Sequence, residues 1–196
     1  MKKREVLKNG TTEFDWVMFA QSYFYIARLA CQELLDDGSK KHNRGLSNSI
    51  NLPYKTANLY VAILFNIKHG IEVFIKSLGI LDFGGYEEGH DIHVLFQNLK
   101  KRMETELTPK DLDQMEKLII YFYKPNFLKR KVKDFYEIAD IKNDIFRYPD
   151  NNAKIQISWE LILDLFDRSD VEEIKDNLDK LLGLFNKAGF NIENQK

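Results

Sequence analysis

Three side chains able to move a proton or hold an anion recur at helical spacing: His69, Glu72 and Lys76. They are three and four positions apart, so they share one face of a helix, and Glu72 ahead of Lys76 by four is the better orientation for an ion pair. A glycine-rich stretch follows, then His90, Asp91 and His93. A later group holds Lys142, Asn143 and Arg147. Histidine can pass a proton near neutral pH. Lysine and arginine can grip phosphate, but arginine stays protonated and cannot act as a base. The chemistry on offer is therefore anion binding, with histidines as the available proton carriers.

The first group lies in Ala57 to Leu81, whose early part, Leu59 to Ile67, is apolar nearly all round. A helix of that kind is buried on all sides, so this stretch is expected to be the central helix of an all-helical domain, with His69, Glu72 and Lys76 opening as a polar seam to a cleft or a partner. Before it, Thr12-x-x-Asp15 resembles a capping box and starts a helix from Glu13 to about Asp37. That helix is expected to bury Phe14, Val17, Met18, Tyr23, Ile26, Leu29, Ala30 and Leu34. Residues 1–11 read as a frayed lead-in and 38–52 as a polar loop.

Four glycines between Gly79 and Gly89 predict a turn. Asp91 opens the next helix, to about Glu106. Thr108-Pro109 caps another, which ends near Lys124 before Pro125. Further helices are expected over 134–146, over 159–167, and from the box Ser169-x-x-Glu172 to about Lys187, with Gly189 beyond the end. The alternation of Ile155 and Ile157 with polar residues predicts a short extended piece near 154–158. The whole is a single all-α domain over 1–196, with six or seven helices in one bundle, a core over 13–149 and C-terminal helices over 158–188.

Composition narrows the partners. The chain of 196 residues is 44% hydrophobic with 13% aromatic residues, enough for a substantial core, and its net charge of −1 names no partner. The basic start, Met-Lys-Lys-Arg-Glu-Val, has no apolar signal core after it, and no run approaches the ~18 apolar residues of a membrane span. No membrane association is expected. The single cysteine, Cys31, excludes an intrachain disulfide, fits a reducing cytoplasm, and reads as an inert core thiol. Locally the charge is uneven. Residues 117–133 carry Lys117, Lys124, Lys129, Arg130, Lys131 and Lys133 with Tyr121, Phe122, Tyr123 and Phe127 interleaved. Cations with rings can hold single-stranded nucleic acid; the plainer reading is core rings beside a solvated connection. No phosphate-binding glycine loop, Gly-x-Ser-x-Gly elbow or His-Glu-x-x-His helix is present.

The stretch HGIEVFIKSLGI, with Glu72 and Lys76, then a glycine-rich turn, then GHDIHVLFQNL, with His90 and Asp91, and later Lys142-Asn143-Asp144-Ile145-Phe146-Arg147, resembles the HEPN domains (higher eukaryote and prokaryote nucleotide-binding). The resemblance covers about residues 13–149. It implies a compact helical bundle, commonly a homodimer, in which many members bring an Arg and a His from both chains to the dimer seam and cut RNA. Here lysine stands at the arginine position and arginine at the histidine position. At ~100° per residue Lys142 and Arg147 stand ~140° apart on a helix, so they meet one ligand through long side chains or across a seam. The expectation is a cytoplasmic, homodimeric, RNA-associated or toxin–antitoxin and defence-type module that binds RNA at Lys142, Asn143 and Arg147 and lacks catalytic residues, with no cofactor or metal. The alternative is a non-catalytic structural or regulatory bundle that binds a partner protein. His90-x-x-His93 with Asp91 and His69 is also similar to the His…His-Asp…Asp pattern of HD-type metal phosphohydrolases, although Asp91 after Gly89 suits a helix cap and no later aspartate closes a ligand set.

Overall fold

The densest apolar stretch becomes the element on which the others pack. Helix α2 spans Lys55–Phe83 and, among the described residues, touches each of the other helices. In this computed structural model the residues described are 4–5, 13–36, 55–83, 85–86, 88–101, 103–105, 107–123 and 168–193. The remaining helices are α1 (Glu13–Asp36), α3 (Ile92–Lys100), α4 (Pro109–Tyr123) and α5 (Arg168–Glu193). Strands β1 (Arg4–Glu5) and β2 (Gly85–Tyr86) form a two-residue antiparallel ladder, Arg4 opposite Tyr86. The described part is thus helical apart from one short ladder. The helices expected over 134–146 and 159–167 and the extended piece near 154–158 lie outside the described residues.

Helix α2 buries Tyr60, Ile63, Leu64, Ile67, Ile71, Phe74, Ile75 and Leu78. Its far end differs from the expected turn: Gly79 stays helical and the chain leaves the helix only after Phe83. Ile80 and Leu81 are buried, so about one more turn of helix keeps their apolar surface in the core.

Helix α1 buries only part of the expected face: Leu34 is buried and Val17 and Ala30 pack against the core as expected. Ala20, Phe24, Ala27, Cys31 and Leu34 are buried, while Met18, Ile26 and Leu29 are about half exposed. The cause is steric. The inner stripe is mostly small, so α1 can lie close on α2, and a Cβ added at Gly70 would meet Phe24 Cε1 at 2.7 Å. Larger side chains on that face would hold the helices apart. Phe185 of α5 then closes the layer, its ring stacked on Phe74 at 4.0 Å and tilted against Phe24 at 5.8 Å. Burial pushes the Cys31 thiol up to about 12, which keeps it in its unreactive form.

Asp91 starts α3 as an N-cap: its Oδ1 accepts from the Val94 amide at 3.1 Å. The helix ends at Lys100, short of the expected Glu106. A 3-10 turn at Met103–Thr105 follows, and Met103 and Leu107 on either end of it are buried in the core. Thr108 Oγ1 accepts from the Asp111 amide at 3.2 Å, the cap expected for α4. Helix α5 begins at Arg168, where Glu172 takes Arg168 Nε at 2.9 Å, and it runs past Gly189 to Glu193. Arg168 Nη1 also donates to the Leu35 carbonyl at 2.6 Å, satisfying an orphan group in the last turn of α1.

Candidate functional site

The polar seam of α2 faces a cleft between α1, α2 and β2. Its lining is Asp15, Trp16, Phe19 and Tyr23 from α1, His69, Glu72, Val73 and Lys76 from α2, and Tyr86 from β2, around a volume of about 440 Å³. The spacing that put His69, Glu72 and Lys76 on one face therefore puts them in one cavity.

Glu72 is the hub. Its side chain is 4% exposed and its Oε1 accepts from Lys76 Nζ at 2.7 Å. His90 Nδ1 lies 2.8 Å from the same oxygen. Gly89, at φ +119°, supplies the backbone turn that brings His90 there, a conformation that disfavours any side chain. Two donors on one buried carboxylate oxygen offset much of the cost of removing that charge from water. Glu72 Oε2 is buried and has no hydrogen-bond partner among the described residues.

Aromatic rings make the walls. Lys76 Nζ sits 5.5 Å from the Tyr86 ring centroid, within cation–π range. Trp16 packs on Tyr86 with centroids 4.9 Å apart. His69 stacks on Phe65 at 5.6 Å and meets Tyr23 edge-on at 4.7 Å, so it is set among rings rather than beside Glu72 as a relay.

The expected site residues separate into three groups. His69, Glu72 and Lys76 share the cleft, and His90 joins them through Glu72. Asp91 does not: its carboxylate is spent on the α3 cap. Lys142, Asn143 and Arg147 lie outside the described residues. The aromatic wall was not expected as a site. Trp16, Phe19 and Tyr23 recur at helical spacing, and that signal reads equally as core.

His90 and His93 have different surroundings. His90 is beside Glu72, whereas His93 is exposed. Among the described residues no three His, Cys, Asp or Glu side chains converge as a metal site would need. The basic–aromatic stretch is also divided. Phe122 and Tyr123 are core, with Tyr123 Oη donating to the Lys68 carbonyl at 2.7 Å, so neither presents a stacking face. The rest of that stretch beyond Tyr123 lies outside the described residues. Among the described residues no helix is long and apolar enough to cross a membrane.

Comparison with models of known protein families, with curated proteins and with solved structures gives no match.

Proposed function

We propose that this chain is an HEPN-like, RNA-associated module of the toxin–antitoxin or defence type, cytoplasmic and homodimeric, that binds RNA without cutting it. In this reading the five described helices belong to a bundle of six or seven. The observation that carries it is the joining of Glu72 to both Lys76 and His90. The resemblance linked a Glu-x-x-x-Lys pair to a His-Asp helix start by order alone, and their meeting on one carboxylate oxygen supports treating them as one motif. Binding without cleavage follows from residue type: Lys142 and Arg147 can hold phosphate and neither is a neutral base.

A gel assay with labelled single-stranded RNA tests this. Binding at low salt that falls as salt rises is expected, weaker in the Lys142→Ala, Arg147→Ala double variant, with no metal-independent cleavage. Rapid cleavage by the wild type that disappears in the double variant overturns the non-cutting reading. No binding at low salt overturns the RNA reading.

The second reading, a protein-interaction bundle, is favoured by the outer face of α1. Met18, Tyr25, Ile26 and Leu29 are 49%, 61%, 49% and 51% exposed on adjacent turns. Apolar side chains clustered in this way mark contact surfaces. The same face suits a homodimer, so light scattering at micromolar concentration of wild type and Leu29→Lys is the check. A 23.1 kDa species at every concentration removes the dimer.

A further inference from the structure

The cleft carries an inference that rests on its own geometry and not on the RNA reading. Its floor is an acceptor beside a donor: the Glu72 carboxylate next to the Lys76 ammonium, 2.7 Å apart. Both side chains are about nine-tenths buried or more. Oε1 already takes Lys76 and His90, while Oε2 is buried and has no hydrogen-bond partner among the described residues. A carboxylate oxygen can accept two hydrogen bonds, and a buried one without any is costly. The walls are the rings of Trp16, Phe19, Tyr23 and Tyr86.

Charge narrows the occupant. At the floor Lys76 already offsets Glu72, so a second cation there would meet the ammonium and an anion would meet the Glu72 carboxylate. A neutral, flat group is favoured, with an N–H donor for Oε2 and an adjacent acceptor for Lys76. We propose that the cleft binds a heteroaromatic ring through a 4-aminopyrimidine edge, the amino group beside a ring nitrogen that adenine and cytosine share. The amino group donates to Glu72 Oε2, Lys76 Nζ donates to the ring nitrogen, and the ring lies against the aromatic wall. The volume of about 440 Å³ falls within the ~300–1,000 Å³ of small-molecule sites. Oε2 is closed to bulk water by the surrounding side chains, so a ring reaches it by shifting the rim, where Phe19 is 64% exposed.

Calorimetric titration of the full chain with adenosine and with cytidine tests the proposal. Saturable one-to-one binding is expected. Purine riboside, which keeps the ring nitrogen and lacks the amino group, should bind at least tenfold more weakly. Trp16→Ala, which leaves Glu72 and Lys76 in place, should also weaken binding at least tenfold, as should Glu72→Gln if its helical circular dichroism is retained. Equal binding of adenosine and purine riboside overturns the proposal. So does the absence of saturable heat with both nucleosides, or wild-type affinity in Trp16→Ala. A short oligoadenylate separates the two sources of the edge. Tighter binding than adenosine assigns the cleft to a base within a strand; binding of adenosine alone assigns it to a free small molecule and leaves the site standing if the RNA reading fails.

Discussion

His90 Nδ1 lies 2.8 Å from Glu72 Oε1, although the two residues are 18 positions apart and belong to different elements. The contact fastens the turn after β2 to the middle of α2, just before Asp91 opens α3. It also leaves Glu72 with two donors on one oxygen. The polar seam of the central helix is therefore a closed ion-pair cluster at its base and an aromatic cleft above it.

The first prediction concerns that cluster. Lys76→Ala leaves the Glu72 carboxylate buried without its ammonium, and breaking a buried pair from one side costs about 3–5 kcal/mol. Replacing both together, Glu72→Leu with Lys76→Met, should cost far less, because no uncompensated charge remains. Urea unfolding of the three proteins decides it. A single-variant cost no larger than that of the double would mean the pair is well solvated.

Core packing gives a second. Ile63 is fully buried in α2 and Phe74 is stacked under Phe185. Truncation of either to alanine should destabilise by about 2–5 kcal/mol through lost burial and a residual cavity. Denaturant midpoints measure this. A loss under ~1 kcal/mol at both sites would contradict the central place of α2.

Gly70 gives a third. Alanine is the better helix former by about 1 kcal/mol, yet its Cβ would stand 2.7 Å from Phe24 Cε1. Overpacking of a core costs about 1–3 kcal/mol, so Gly70→Ala should be net destabilising by up to ~2 kcal/mol. Adding Phe24→Leu should relieve part of the clash. A double-mutant cycle reads the coupling, and strict additivity would show that α1 and α2 adjust freely.

The fourth is a pH dependence from the surface network. Lys100 holds Glu116 below the usual carboxylate range at 2.6 Å, and Lys187, then Thr108, does the same for Asp111. Glu116, then Asp113, raises Lys100. A depressed carboxyl binds its proton less readily folded than unfolded. Its stabilisation is therefore full above the unfolded value, ~4, and fades as pH falls through the folded one. A raised lysine stabilises fully below ~10.4 and loses that as pH rises through its folded value. Thermal melts should fall off on both sides. Glu116→Gln should flatten the acid limb and Lys100→Met should flatten both, by less than ~1 kcal/mol for this partly exposed pair. Unchanged limbs in Lys100→Met would mean other groups control them.

The helices were legible where local physics dictates them. The start of α4, the Asp91 cap and the burial of α2 follow from capping residues and apolar density, which act within a few positions, and α1 begins at Glu13 as expected. The spacing of His69, Glu72 and Lys76 likewise foretold a shared face. Helix ends were less legible: α5 passed Gly189, and α2 passed Gly79, where burying Ile80 and Leu81 outweighs the small cost of glycine in a helix.

Tertiary packing alone decided which apolar stripe of α1 turns inward. Met18, Ile26 and Leu29 are as hydrophobic as the buried set, but Ala20, Ala27 and Cys31 permit the closer approach to α2. That choice of face is also what turns Trp16, Phe19 and Tyr23 toward the cleft. The docking of His90 on Glu72 and the placement of Tyr86 over Lys76 depend on how the chain returns after α2. Sequence spacing places residues along one element; which elements meet, and therefore which side chains form a site, is settled by the packing between them.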